Sequence, residues 1–336
     1  MSNLQKKGGA LRACLFGLSV LSCLPLAAHA QASSSSNYPE RSIRMIVPFP
    51  AGGATDVVAR VIAQQAGREL GQQVVVENKS GAGGTIGAGE AAKANADGYT
   101  ILLTTTSTHS VSPHLLDNLP YDAKADFTPI AHLGTAGTVL LVTPSLPIKS
   151  VQELIDYAKK NPGELNYASS GNGTIVHLGT EAFMASAGIE MTHVPYRGTG
   201  QAMTDLMAGS VQVLMDAIPT GMPYVKKDQL RALAVTTRER SALAPEIPTL
   251  DESGLTGFES TTWFGVYAPA GLAEDRRVRL HEALLRAVQD PGVAERLQSL
   301  GVDTAGQHTS EDFAKLVDAD SARWKKIIQD GNISIK

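Results

Sequence analysis

Cysteine is nearly absent. The 336 residues hold two, Cys14 and Cys23, and both fall in the first thirty. Beyond them no disulfide and no cysteine nucleophile is available, so a hydrophobic core must carry stability. Tryptophan is scarce and aromatics make up 5% of the chain. No apolar run of eighteen or more residues follows the N-terminal one, so nothing later is expected to span a bilayer. Missing motifs exclude more. There is no GxSxG elbow and no HExxH helix. The histidines His109, His114, His132, His177, His193, His281 and His308 lack metal-ligand spacing. Neither a metal nor a cofactor is called for.

The N-terminus carries the one long apolar stretch. Lys6, Lys7 and Arg12 precede a run from about Ala13 to Ala28, and Ala28-His29-Ala30 follows. Charge, length and small residues match a secretory signal peptide with cleavage after Ala30. Gly17, Ser19, Ser22 and Pro25 interrupt the run too often for a comfortable span. Val20-Leu21-Ser22-Cys23 offers an imperfect lipoprotein alternative. Removing the three leader cations leaves 26 Lys and Arg against 33 Asp and Glu, a balance of −7. An acidic exported protein is a poor partner for nucleic acid or for an anionic membrane surface.

Residues 31–37 are a polar lead-in, and order is expected from Tyr38. Strand and helix patterns then alternate. Ser42–Val47 reads as a strand, Ala54–Leu70 as a helix capped by Thr55 and closed by Gly71, and Gln73–Glu77 as a strand. Ile86–Ala94 is a helix and Tyr99–Thr104 a strand. A second set comprises strands Thr138–Thr143, Asn166–Ala168, Thr192–Pro195, Val211–Asp216 and Leu230–Thr236, with helices Val151–Lys160, Thr174–Ala187 and Gly200–Ala208. Strand Thr262–Tyr267 and helices Glu274–Gln289, Gly292–Leu300 and Ser310–Gln329 complete the chain. The alternation predicts an α/β protein with mostly parallel sheet in two lobes, one inserted into the other.

Several strand-to-helix loops are rich in glycine or hydroxyls. Pro48–Asp56, including Phe49, Ala51, Gly52, Gly53, Thr55 and Asp56, opens the first helix. Glycines allow close backbone approach, and a helix start offers unpaired N–H groups and a positive dipole end, a ready anion site. A tight turn with a capping Thr or Asp explains the same residues equally well. The pattern recurs at Ser169, Ser170, Gly171, Asn172, Gly173 and Thr174, with His177 on the following turn. It recurs again at Tyr196–Gly200 with Arg197, and Thr105 and Ser107 belong to a row of hydroxyls, Thr104–Thr108, that follows another strand. Asp216 ends a strand, where it suits bracing a loop more than touching a ligand. In open α/β sheets, ligands lie beyond the carboxyl ends of strands, so these loops would share one cleft. Gly52-Gly53 with Glu77 imitates a dinucleotide site, but the GxGxxG spacing is absent. Gly81–Gly87 lacks the Gly-Lys-Ser/Thr of a Walker loop.

The ordered motifs resemble a known family. Tyr38-Pro39, Ile43–Gly53 and Asp56, Val76–Gly84, Asp97–Thr100, Val194–Gly198, Pro245–Thr249 and Trp263–Gly271 are similar to blocks of the Bug proteins, the extracytoplasmic solute receptors of tripartite tricarboxylate transporters. The resemblance spans essentially all of the chain after the leader. It implies a two-lobed periplasmic-binding fold (Venus flytrap, type II) with crossings near residues 133 and 258. Lobe 1 would be 38–133 and 258–336, and lobe 2 134–257. It further implies a monomeric periplasmic protein that captures a small organic carboxylate and hands it to membrane subunits of such a transporter. The ligand would be held through Phe49, Ala51, Gly52, Gly53, Thr55, Asp56, Ser169, Ser170, Gly171, Gly173, Thr174 and His177, with Thr105, Ser107 and Asp216 less central. Arg197 stands where the family usually has lysine. Thr106, Thr135, Thr138, Thr220 and Met222 are candidates for the far end of the pocket. Rival readings are an exported hydrolase using Ser170 with His177, and a sensor that presents its ligand to a membrane kinase.

Overall fold

The computed structural model describes residues 37–331 and 333–334. The expected leader, its cleavage point and residues 31–36 of the lead-in lie outside the described residues. From Tyr38 onward the chain forms one compact unit.

The first stretch runs β1 (Ile43–Val47), α1 (Ala54–Leu70), β2 (Val74–Asn78), α2 (Thr85–Ala92) and β3 (Thr100–Thr105), followed by a π-turn at Ser107–Val111 and the short α3 (Ser112–Leu115). β1 pairs in parallel with β2 and β3. Helix α1 forms because Val58, Ile62 and Ala66 recur every fourth residue and are buried together. Gly71 at φ +72° closes it. Its start differs from expectation: the N-cap is Gly53, and no side chain caps it. Thr55 lies inside the helix because the turn tightens two residues earlier, where the Gly53 N–H donates to the Pro50 carbonyl.

The sixteen-residue strand β4 (Phe127–Val142) links two halves of the sheet. Phe127–Gly137 pairs with β9 (Thr261–Pro269), and Gly134–Ala136 also pairs with β10 (Val302–Thr304). Thr138–Val142 pairs instead with β7 (Val213–Ala217) and, from Val139, with β8 (Arg231–Val235). Between them lie α4 (Val151–Lys160), β5 (Asn166–Ser169), α5 (Ile175–Ala187), β6 (Thr192–Pro195), α6 (Thr199–Ala208) and α7 (Ile218–Val225). β5 runs parallel to β6 and β7. The sheet is therefore mixed, not mostly parallel: β4 and β9 run antiparallel to their neighbours because they carry the chain between the two halves.

Each half buries its own core. On one side Val58 and Ile62 of α1 pack with Ile43, Leu103 and Val266 against Leu280 and Leu284 of α8 (Glu274–Gln289), joined by Leu297 of α9 (Pro291–Ser299). On the other, Leu140 and Val142 pack with Leu154 of α4 and Phe183 of α5, while Val139 and Leu141 face Met203, Leu206 and Ile218. This alternation along one strand buries both faces. Helix α10 (Ser310–Asp330) contributes Phe313 to the first half and Trp324 to a cluster with Leu178 of α5. Among the described residues no helix is long and apolar enough to cross a membrane, and no group of three or more His, Cys, Asp or Glu is arranged to hold a metal.

Candidate functional site

A cavity of about 250 Å³ opens between the two halves of the sheet. Four helices begin on its wall: α1 through Gly53, Ala54 and Thr55, α5 through Thr174, Ile175 and Val176, α6 through Gly198 and Thr199, and α7 through Ala217, Pro219 and Thr220. Each helix start carries roughly half a positive charge. For α1, α6 and α7 no side chain caps the first turn. Helix α5 is the exception, with the Thr174 hydroxyl accepting from the His177 N–H at 3.4 Å. Hydroxyls of Thr105, Ser107, Thr138, Ser170 and Thr262 complete a polar lining, closed by Phe49, Val57, Val58 and Phe264. A wider outer chamber of about 710 Å³ shares Gly52, Gly53, Gly198 and Asp216 with it and adds Ala51, Arg197 and Lys227. Both cations there are exposed.

The sequence-derived candidates divide by position. Phe49, Gly52, Gly53, Thr55, Thr105, Ser107, Ser170, Thr174 and Asp216 line the cavity. Ala51 and Arg197 line only the outer chamber. Asp56 is buried behind the first loop. Its carboxylate accepts from the Gly52 N–H at 2.8 Å, Arg60 Nε at 2.9 Å and Asn78 Nδ2 at 3.0 Å. Burial works to raise its pKa, but those donors prevail and hold it below the ordinary carboxylate value. Asp56 thus fixes the loop that presents the start of α1.

Ser169, Gly171, Gly173 and His177 shape the second loop from behind. The Ser169 hydroxyl accepts from the Gly171 N–H at 3.1 Å and meets His193 Nε2 at 2.6 Å. Gly171 and Gly173 take φ of +127° and +73°, conformations that a side chain would strain. The Gly173 N–H donates to His177 Nδ1 at 3.2 Å, so the proton of the neutral imidazole sits on Nε2. The His177 ring stacks on His193 with centroids 4.0 Å apart. Burial, with His193 adding to it, pushes the His177 pKa down to about 3. Burial lowers His193 to about 4. Both rings are neutral at pH 7.

Several lining residues carried little local signal. Ala217 and Pro219 sit at a helix start that the proline-bearing sequence of α7 conceals, whereas Thr199 lies in the Tyr196–Gly200 loop already read as opening a helix. Thr262 lies on a strand that reaches the cavity only through long-range pairing. Its Oγ1 is buried without a hydrogen-bond partner. Thr138 and Thr220, expected toward the far end, do line the cavity. Thr106 instead accepts from the Trp263 N–H at 3.1 Å, Thr135 meets His132 at 3.3 Å, and Met222 is buried in the core.

Asp216 is the one ionisable residue in the inner lining. It is 5% exposed. Its Oδ2 accepts from Thr220 Oγ1 at 2.9 Å. Burial raises its pKa above the ordinary value, against the hydrogen bonds from the Ala217 backbone, Thr220 and Thr199.

Known proteins share this fold. Residues 58–333 match the model of the tripartite tricarboxylate transporter family receptor. BugT of Bordetella pertussis is 36% identical over 304 residues, spanning 90% of this chain and 93% of its own. Two solved structures superpose closely. R. palustris Rpa4515 with adipate does so at TM-score 0.84 and 35% identity, covering 88% of this chain and 99% of that one. MatC from Rhodopseudomonas palustris with bound malate does so at TM-score 0.82 and 33% identity, covering 87% and 100%. The two-lobed binding-protein architecture agrees with these matches: the chain belongs to the Bug-type receptors of the tripartite tricarboxylate transporter family.

Proposed function

We propose that the protein captures a small organic carboxylate in the cavity between its lobes and delivers it to membrane subunits of a tripartite tricarboxylate-type transporter. The supporting observation is the convergence of four helix N-termini on one cavity, three without a side-chain cap. A buried carboxylate without hydrogen bonds is prohibitively costly. Unpaired N–H groups and neutral hydroxyls supply those bonds without an opposing cation. Adipate and malate in the related structures are acids of the kind such a lining suits.

The lobes take residues 38–133 with 258–336, and 134–257. The change of pairing partners along β4 supports a first crossing close to Gly137 and Thr138, a few residues later than the expected one near 133, since Gly134–Gly137 still pair with β9. Ligand draws the lobes together by hinge bending, and the closed monomer is the form the transporter reads. The receptor works in the periplasm after export and cleavage near Ala30.

An enzymatic role finds little support at the same site. The Ser170 hydroxyl donates to Thr174 Oγ1 at 3.0 Å, and His177 Nδ1 is taken by the Gly173 N–H. Ser169 does meet His193, but Ser169 is fully buried. Scanning thermal stability against mono-, di- and tricarboxylates, aromatic acids and amino acids tests the proposal. A midpoint rise that saturates with one or more acids supports it, and no shift with any acid refutes it. Co-purification of the liganded protein with transporter subunits, rather than with a membrane kinase, separates transport from sensing.

A further inference from the structure

We infer that the cavity selects carboxylates that carry their own hydrogen-bond donor, an amino or hydroxy acid, and that Asp216 is the residue that reads it. The inference rests on the reading above, that an organic anion enters this cavity.

An acidic side chain is out of place in a site for anions. Asp216 is nonetheless the one ionisable group in the inner lining. It stands at the end of β7, on the last turn before the uncapped start of α7. Its partners are neutral: the hydroxyls of Thr220 and Thr199 and the Ala217 backbone. Among the described residues no cation pairs with it. Arg197 and Lys227 line only the outer chamber, which Asp216 also borders. A carboxylate ligand would bring a second negative charge into about 250 Å³, where little water remains to screen the pair.

Two arrangements relieve that conflict. Asp216 can hold a proton, which its burial favours, or the ligand can bring a donor. The local geometry favours the second. The Ala217 N–H can only donate, so the carboxyl is held as an acceptor there, while Thr220 divides its one proton between Asp216 at 2.9 Å and the Ala217 carbonyl at 2.7 Å, which leaves the carboxyl short of donors. A site built around an acceptor rejects a ligand that leaves it unmatched, because desolvation of the acceptor is then uncompensated. An ammonium group would satisfy it and cancel a charge. A hydroxyl would satisfy it alone. Thr262 Oγ1, buried and without partner on the same wall, leaves a second polar group for such a ligand to meet.

Titration calorimetry on matched acids differing only at C2 tests this. The sets are propionate, lactate and alanine; succinate, malate and aspartate; glutarate, 2-hydroxyglutarate and glutamate; adipate and benzoate serve as donor-free references. In at least one set we expect the amino or hydroxy acid to bind roughly tenfold or more tightly than its parent, a gap on the scale of one matched polar contact. An advantage for the amino acid alone identifies charge pairing, and equal advantages identify the donor as sufficient. Asp216→Asn should shrink the gap at least threefold. If that variant fails to fold, Thr220→Val, which removes a donor orienting the carboxylate, should shrink it less, and the wild-type comparison stands without either. Parent and substituted acids bound within threefold of each other, or binding confined to adipate or benzoate, would overturn the inference while leaving carboxylate capture intact. Silence toward every acid would remove the underlying reading as well.

Discussion

The backbone N–H of Ile175, the first residue of α5, donates to the Ser107 hydroxyl at 3.1 Å. Ser107 follows β3 in one half of the sheet, and Ile175 opens a helix of the other. One of the helix-start donors on the cavity wall is thus satisfied across the cleft, by a group 1% exposed. On the hinge motion proposed above, this bond forms only with the lobes together and would favour the closed form. We expect Ser107→Ala to weaken ligand binding about five- to tenfold, the worth of one net hydrogen bond at ~1 kcal/mol. Melting of the ligand-free protein should change little. Calorimetry showing unchanged affinity would remove the bond from the closing mechanism.

A second cross-cleft approach involves glycine. A Cβ on Gly83 would come 2.9 Å from the Asn172 carbonyl, in the loop that leads into α5. Gly83 also holds φ at +65°. Gly83→Ala should therefore cost stability in every state, by ~1 kcal/mol for the left-handed conformation, and affinity in addition, because the clash arises only with the loops in contact. Loss of stability with full affinity would show that the loops need not meet when ligand binds.

Asp56 offers a test of how the first loop is held. Asp56→Asn keeps the size but surrenders the charge that Arg60 and the Gly52 N–H share. We expect a loss of ~1–3 kcal/mol in denaturant unfolding at neutral pH. The folded pKa of Asp56 is depressed from 3.8, so its contribution is complete above that value and fades as pH falls below it. The gap between wild type and variant should hold from pH 7 to about pH 5 and close only in stronger acid. A gap that closes near neutrality would point to another group.

The stacked pair His177 and His193 makes the opposite case. With folded values near 3 and 4 against about 6.5 unfolded, the unfolded chain binds the extra protons. Stability is complete above about pH 6.5 and falls as pH drops through the interval below it. From pH 6.5 to 5 His177 alone is expected to account for about 2 kcal/mol. Glu181 and Asp216, both raised by burial, act in the reverse sense and blunt the fall. His177→Gln should flatten the dependence of melting midpoint on pH in this window. An unchanged slope would mean the ring titrates normally.

Much of this arrangement is legible in the sequence. Helices α1, α4 and α8 follow from apolar spacing and clear ends: Gly71 closes α1, and the Ser150 hydroxyl accepts from the Glu153 N–H at 3.2 Å to cap α4. The Gly-rich loops could be placed at helix starts because strand and helix periods flank them. The first half of β4 could not, since Pro129 and Gly134 break the apolar pattern at points where the pairing register shifts. Helix α7 was hidden by Pro219 and Pro223, one at a tolerated first-turn position. Strand direction is set by the chain's passage between halves, which no local pattern records. The same limit separates Asp56 and His177 from the cavity: both adjoin a loop in sequence, but distant partners, Asn78 and His193, determine which way they serve it.

The most direct test places a competing carboxylate on the wall itself. Thr199 lies on the first turn of α6 and lines the cavity, where an acidic residue suits the helix dipole. Thr199→Glu removes a hydroxyl bonded to Asp216 and sets a second carboxylate near it, so the melting midpoint should fall while the transition stays cooperative, and affinity for whichever acid the wild type binds one-to-one should drop at least a hundredfold. Full-strength binding by that variant would contradict capture of an anion at these helix starts.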